Sequence, residues 1–497
     1  MVKDLKQLLE ANCGRQHELF AKYLNPQLVR VLRTISFDNN YVRADGPILY
    51  DEKGNDYLDL LAGYGVFALG RSNPKILKAL HEAIDLQYPN MVQMDAPLVA
   101  GLLAERLVSY MPEGVDTVFF TNSGTESNEG AIKFARKATG RKRILFWDHA
   151  FHGLTTGSLA LNGGTEFRKG FGELLPGATM IPMGDIDALK MEIEKGDVAA
   201  FIFEPIQGKG VYIASSAFHK EAEALCKKHG IIIICDEVQT GLGRTGKMFA
   251  HQHWNLNPDI VTVAKALSGG FVPVGAICYR RSIYEKVFTG MEDCVVHSNT
   301  FGRNILAMAA GLATLDIIEE DGLVDNAAKT GQIIIDGIRS MQDRYEMLSC
   351  VRGLGLMIGI EFGAPKSLKL KMGWKMVHAL NKGLFSQMIT VPLMKEHRIL
   401  TQVAGHNVDI VKLLPPLIIN EMHAERFLNA FEKVVADCHK FPGNAWAVAK
   451  NLAAAAAKSK RMAKDEERDR IIQTHSNDTA GILDDVTTTP VGGGEGI

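Results

Sequence analysis

A chain of 497 residues, 46% hydrophobic and 23% charged, has enough apolar mass for a large buried core and by length divides into about two or three domains. Its formal net charge of -2 leaves no electrostatic footprint for nucleic acid or for an anionic membrane surface. The seven cysteines are scattered, odd in number and free of CxxC pairs, which points to neither a disulfide framework nor a zinc site and suits the reducing cytoplasm.

The N-terminus, MVKDLKQLLEANCG, mixes charges into a short amphipathic pattern without the apolar heart of a signal peptide, and no run approaches the length of a membrane span. DGPILYDEKGNDYLDLL (45–61) reads as two short strands around the turn Lys53, Gly54, Asn55. In FFTNSGTESNEGAIKFARK (119–137) a strand end meets a cluster of small polar residues and then a helical pattern, so hydroxyls and backbone N–H groups gather where the helix starts. Taken alone, that junction reads equally as an ordinary Ser/Thr-capped helix with Glu126 in its first turn. Apolar runs follow at RILFWD (143–148), VAAFIFEP (198–205), GIIIICDEV (230–238) and DIVTVAKAL (259–267), separated by helical or loop segments. This alternation predicts a largely parallel sheet covered by helices on both faces, with ligands at the carboxyl ends of its strands.

From about residue 336 the pattern shifts to short strands, LMIGIEF (356–362) and VKLLPPLII (411–419), mixed with helices such as HAERFLNAFEKVVADC (423–438), as in a separate α+β domain. LFSQMITVPLMKEHRILTQVAGH (384–406) reads as a buried element, with an entrance-lining loop as the alternative. The end of the chain, AAAAA (453–457) and a mixed-charge run before TTTPVGGGEGI, predicts a solvated helix followed by disorder over 476–497.

Several motifs bear on chemistry. GLGRTG (241–246) matches G-x-G-x-x-G, but DEVQT separates it from the preceding strand and no helical period follows, so a dinucleotide turn is not expected. The pairs His149/His152 and His251/His253 have no Cys or carboxylate at ligand spacing in the sequence and read as surface or capping histidines, with no metal site. Asp236 with Glu237, and Lys265, stand at the ends of buried-looking strands, where charge needs a partner or a task. Structural ion pairing is one reading; a desolvated lysine whose neutral amine is a nucleophile is the other. An anion cradle at 122–125, a strand-end Asp and a strand-end Lys around one crevice suit a single cofactor, pyridoxal 5′-phosphate, with its phosphate, basic ring nitrogen and aldehyde.

The segments FFTNSGTESNEGAIKFAR, DHAFHG, FIFEPIQG, CDEVQTGLGRTG, VAKALSGG and SNTFGRN together make the chain resemble the class III (ω-) aminotransferases, pyridoxal-phosphate enzymes of fold type I, over roughly residues 37–435. The resemblance implies an aspartate-aminotransferase-like α/β fold: a large, mainly parallel, seven-stranded-type sheet domain and a small α+β domain built from both chain ends. The expected boundaries are 1–78 for the N-terminal segment and part of the small domain, 79–335 for the large domain, 336–441 for the C-terminal small domain and 442–497 for the tail. It also implies that Lys265 is the Schiff-base lysine and proton shuttle, Asp236 the partner of the ring nitrogen and Gln239 a contact to the ring hydroxyl. Phe151 and Val238 would flank the ring beside His152, Glu204 would support the site, and Ser123, Gly124 and Thr125 would hold the phosphate. Thr300 would reach the phosphate bound by a neighbouring subunit, which implies a homodimer with shared sites and leaves a tetramer open. The reaction implied is a ping-pong transfer from an amine donor to an oxo-acid acceptor.

Three positions depart from the ornithine-type pattern: Leu154 stands where Arg usually follows HG, Lys209 where Glu usually follows EPIQG, and Lys412 lies slightly upstream of the usual Arg before PPL. A Glu–Arg gate that hides the Arg from an amine and frees it for an acid cannot operate between two lysines. These changes predict an ω-amine donor with an apolar or bulky far end, with Lys209 or Lys412 taking the acceptor's carboxylate. Arg352 in VRGLGLMIG is the competing acid binder, and Tyr64 in AGYGVFALG is either substrate-facing or a core aromatic. Two further readings stand beside transamination. A decarboxylase or aminomutase would share the cofactor residues, whereas intact Lys265, Asp236 and Gln239 argue against a non-catalytic binding protein.

Overall fold

Asp51 makes the first turn. Its Oδ1 accepts the N–H groups of Lys53 and Asn55, both at 2.9 Å, while Oδ2 takes the Asn55 amide at 2.8 Å and the Tyr57 hydroxyl at 3.1 Å. The Asn55 side chain in particular holds the Asp51 carboxyl down to about 2. The turn joins β2 (Ile48–Asp51) to β3 (Asp56–Asp59), with β1 (Tyr41–Asp45) antiparallel on the other side of β2, as the sequence predicts for 45–61. The computed structural model describes residues 4–454 except 93, 381, 382, 407, 444, 447, 448, 450, 451 and 453; the expectation for 476–497 lies outside the described residues.

Two compact units make up the chain. One comprises Met1–Asp38 with Trp446–Ile497 and carries the helices Leu5–Ala11, Gln16–Tyr23 and Pro26–Thr34, the first capped by Asp4 and the third by Asn25. The other, Asn39–Ala445, holds the sheets. Its central sheet is built from β4 (Val115–Thr121), β5 (Arg143–Trp147), β6 (Ala178–Ile181), β7 (Val198–Phe203), β8 (Ile232–Asp236), β9 (Ile260–Val263) and β10 (Gly275–Arg280), in the order β4-β10-β9-β8-β7-β5-β6. The neighbours from β6 across to β9 pair in parallel, and β10 runs antiparallel to both β9 and β4. β7 and β8 are buried along their whole length, which is why they read as unbroken apolar runs and not as alternations. Ile144, Phe146, Ile202 and Ile234 of the sheet pack with Ala131, Phe134 and Ala135 of the helix Gly124–Thr139.

A second antiparallel sheet contains β11 (Leu348–Leu354), β12 (Met357–Phe362), β14 (Gln402–Val403) and β15 (Ile410–Leu413), in the order β11-β12-β15-β14. The two-residue β13 (Ile399–Leu400) pairs in parallel with β3, so the sheet begun by β1 is completed from late in the chain. Of the 384–406 segment the first part is largely buried, from Leu384 to Met394 of the helix Leu384–His397, which carries Pro392 within it, while Lys395, Glu396, Arg398 and His406 are exposed; the helix leads into β13. Strand β9 is shorter than its apolar run, because the chain leaves the sheet at Val263 and turns through Lys265–Ser268. After GLGRTG the next element is the short turn Ala250–Trp254, with no helix opening on the glycines.

Candidate active site

Asp236 ends β8 and is buried, yet its carboxylate is well supplied with donors. Oδ2 accepts the Asn128 amide at 2.8 Å and faces His152 Nδ1 at 2.7 Å, and Oδ1 accepts the Val238 N–H at 3.1 Å. Opposite an acceptor-only carboxylate, Nδ1 is the donor. The two side-chain donors are themselves held. Thr262 on β9 donates to Asn128 Oδ1 at 2.9 Å, Asn128 also donates to the His152 carbonyl at 2.7 Å, and Asn162 Oδ1 accepts the His152 N–H at 2.8 Å. The sequence reading of His152 as a surface or capping residue is therefore corrected: it is 2% exposed because the chain after β5 folds inward against Asp236. His251 is corrected likewise. It is buried against Glu237, whose Oε1 accepts its N–H at 2.7 Å, with Cys235 beside the pair. Thr240 donates to the other Glu237 oxygen, and burial keeps the Cys235 thiol well above its usual range, so this trio reads as an internal hydrogen-bond cluster.

The junction after β4 is a helix N-terminus. Ser123 caps the helix Gly124–Thr139 by accepting the Glu126 N–H, and Thr125 Oγ1 lies 2.7 Å from both Thr155 and Ser158 hydroxyls. Val238 presses on Gly124 so closely that a Cβ there would sit 2.7 Å from its Cγ1, so the first residue of the helix has to be glycine. Just after β7, Glu204 accepts the Phe151 N–H at 2.9 Å and the Gly208 N–H at 2.7 Å. Burial pushes its carboxyl up, against the pull of His152. The Phe151 ring stays partly open and meets Phe167 edge-on at 5.3 Å.

Lys265 has φ +46°, a left-handed conformation unusual for a side chain of its size, which turns it out of the sheet line. Desolvation holds its ammonium below the usual lysine range, and Asp236 and Glu204 pull the other way. Gln239 donates from Nε2 to the Tyr64 carbonyl at 3.1 Å and accepts at Oε1 from Lys412 Nζ at 2.6 Å. Lys412, on β15 and 3% exposed, also donates to the Gly208 carbonyl at 2.5 Å. Burial pushes it down to about 7.

The remaining expected residues sit at the rim. Tyr64 is no core aromatic: its ring is exposed, on a stretch from Ala62 to Gly65 with positive φ throughout, and only its carbonyl touches the cluster above. Leu154 is exposed after Gly153. Lys209 pairs with Glu166 at 2.5 Å, and Arg352 is taken up by Glu361 and the carbonyls of Gly210 and Val211. Thr300 is exposed on a loop that Asn299 fastens to the Phe120 carbonyl at 2.8 Å. Asn128, Asn162 and Thr262 escaped the sequence reading; Asn162 and Thr262 are polar residues beside apolar runs, whereas Asn128, within the polar run SGTESNEG, carried no signal.

A cofactor with an anionic end, a basic ring nitrogen and an aldehyde fits this set. The helix N-terminus at Ser123, Gly124 and Thr125 could hold a phosphate, Asp236 a protonated ring nitrogen, Lys265 an aldehyde, and the Nε2 of His152, buried without a partner among the described residues, is the kind of polar atom a bound group satisfies.

The family model described as aminotransferase class-III matches residues 33–435. The chain is 36% identical over 433 residues to the putrescine aminotransferase of Pectobacterium atrosepticum, covering 84% of this chain and 87% of that one. It is 32% identical over 454 residues to the aminotransferase PigE of a Serratia species, covering 85% of this chain but spanning only about half, 53%, of that longer relative. Among solved structures, a PLP-bound amine transaminase from an uncultivated Pseudomonas species superposes with a TM-score of 0.71 at 26% identity, over 80% of this chain and 95% of that one.

Proposed function

The chain belongs to the class-III aminotransferase family of pyridoxal-phosphate-dependent transaminases, and from that premise we propose that it moves an amino group from an ω-amine with an apolar or bulky far end to a 2-oxo acid, in two ping-pong half-reactions. The observation that carries this reading is Lys265, two residues past the carboxyl end of β9, lying within electrostatic reach of a donor-rich Asp236 at the carboxyl end of β8. Bound pyridoxal 5′-phosphate supplies an aldehyde to receive the amine and a protonated ring that withdraws electrons from the substrate's Cα–H bond.

In this proposal Lys265 holds the cofactor and, released by the incoming amine, moves a proton from the substrate Cα. Asp236 faces the ring nitrogen, and the bonds from Asn128, His152 and the Val238 N–H hold its carboxylate in place. Ser123, Gly124 and Thr125 hold the phosphate, Phe151 and Val238 flank the ring, Gln239 meets the ring hydroxyl, and Glu204 ties the Phe151 and Gly208 backbones together. Thr300 serves a second copy's site in a cytoplasmic homodimer. Among the described residues no helix is long and apolar enough to cross a membrane.

For the substrate, the relative named for putrescine supports a donor without a carboxylate, and the engagement of Arg352 by Glu361 and backbone carbonyls supports its absence from acid binding. Of the two lysines, Lys209 takes the acceptor's carboxylate in exchange for Glu166, because Lys412 is buried behind Gln239. The test compares kcat/KM for a medium-chain alkyl amine, putrescine and ornithine, with pyruvate and 2-oxoglutarate as acceptors. A preference for ornithine of ten-fold or more, about 1.4 kcal/mol in transition-state binding, overturns the donor assignment.

A further inference from the structure

A carboxamide has two nearly isosteric ends, one accepting and one donating, so a glutamine beside a ligand presents the correct end only if its neighbours decide. Around Gln239 they decide in concert. Oε1 faces Lys412 Nζ at 2.6 Å, whose N–H groups are directed to it and to the Gly208 carbonyl, and Nε2 faces the Tyr64 carbonyl at 3.1 Å, which can only accept. A flipped amide would set NH2 against ammonium and carbonyl against carbonyl. The ammonium is in turn fixed by the Gly208 carbonyl at 2.5 Å, while the Gly208 N–H is tied to Glu204 at 2.7 Å.

Lys412 makes no ion pair among the described residues: its two hydrogen-bond acceptors are neutral oxygens. A buried ammonium without a carboxylate is a costly way to fill β15, where an apolar side chain would pack at no such expense. The charged groups that bear on it are Glu204, Lys265 and Arg244. Orientation of the amide is what the Lys412 N–H donors provide that an apolar residue could not.

We propose that Lys412 is a positioning residue that locks the Gln239 carboxamide so that an N–H, and not a carbonyl, is offered to the cofactor's ring oxygen. This rests on the reading that Gln239 meets that oxygen. An N–H donor favours the ionised oxygen and so lowers the proton affinity of the lysine-linked chromophore; a carbonyl in its place does the reverse.

The test uses full-length protein loaded with pyridoxal 5′-phosphate and reads the visible spectrum against pH, together with cofactor Kd. Lys412→Met is expected to raise the chromophore's titration midpoint by about one unit, a tenfold gain in proton affinity, and to weaken cofactor binding several-fold, while Lys412→Arg restores the wild-type midpoint. Should Lys412→Met not accumulate as folded protein, Lys412→Gln, whose own amide is two-faced, is expected to shift the midpoint in the same direction. In a Gln239→Leu background the Lys412 substitutions are expected to add nothing. An unchanged midpoint in Lys412→Met or Lys412→Gln, or an equal shift with and without Gln239, overturns the proposal. A wild-type protein that forms no chromophore on Lys265 overturns instead the cofactor reading on which it rests.

Discussion

Replacing Lys412 by Met gives a stability change whose sign depends on pH. Burial lowers this lysine from 10.5 to about 7 in the folded chain. A drop of that size corresponds to about 5 kcal/mol by which the fold disfavours the charged form. Below pH 7 the ammonium is charged in both folded and unfolded chains, and the whole cost is present. Between about 7 and 10.5 the unfolded chain holds a proton that the folded chain has lost, so wild-type stability rises with pH across that window. Methionine removes this dependence, but leaves the Gly208 carbonyl and Gln239 Oε1 without their donor, at about 1–3 kcal/mol per orphaned acceptor. The variant is therefore expected to equal or exceed the wild type in stability near pH 6 and to fall behind at high pH. Urea unfolding of the cofactor-free proteins at matched concentration, at about pH 6 and about pH 9.5, should show the difference moving by about 3 kcal/mol in favour of the wild type. A difference that stays constant within about 0.5 kcal/mol would refute the burial argument, because the ammonium would then titrate alike in both states.

Lys265→Ala is expected to lose turnover while retaining cofactor non-covalently, and borohydride reduction of the wild type followed by peptide mapping should label Lys265; a label on another lysine sinks the assignment. Asp236→Asn should keep the fold and lose on the order of 10²-fold or more in kcat, whereas near-normal turnover would mean that the ring is kept protonated by other means. Glu166→Gln frees Lys209 from a pair that is only partly buried, so KM for the oxo acid should fall by up to about five-fold, the scale of an exposed ion pair, and Lys209→Met should raise it. If neither changes KM, the acceptor's carboxylate is read elsewhere.

The cofactor-binding half of this site is local in sequence, and that is why it could be read there. Asp236 and Lys265 announce themselves as charges closing apolar runs, and the polar cluster at 121–125 sits directly between a strand and a helix. What holds those groups is not local. Asn128 reaches Asp236 across 108 positions and Lys412 reaches Gln239 across 173, so no period or spacing links them. Lys265 also shows where apolar pattern misleads: the apolar residues of DIVTVAKAL are all buried, but the strand ends at Val263 because the chain must turn to bring the amine round. The burial of His152 and His251 does not show in their spacing for a related reason. Their carboxylate partners belong to strand β8 and its exit, which sequence neighbours do not reveal.

The pairing of β3 with β13 sets an order on biosynthesis. Leu58 and Leu60 donate their N–H groups to Arg398 and Leu400, and the Leu414 N–H returns to the Leu60 carbonyl. A nascent chain therefore emerges from the ribosome with the β3 edge bare, and all seven strands of the central sheet are translated before its neighbour arrives. Loop closure over such a span is slow compared with hairpin formation, and an open apolar edge is what aggregating chains recruit. Leu58 and Leu60, both essentially inaccessible in the finished fold, are the side chains left waiting. Synthesis stalled short of Ile399 should yield a product held by chaperones or lost to inclusion bodies, however well β4 to β10 have assembled.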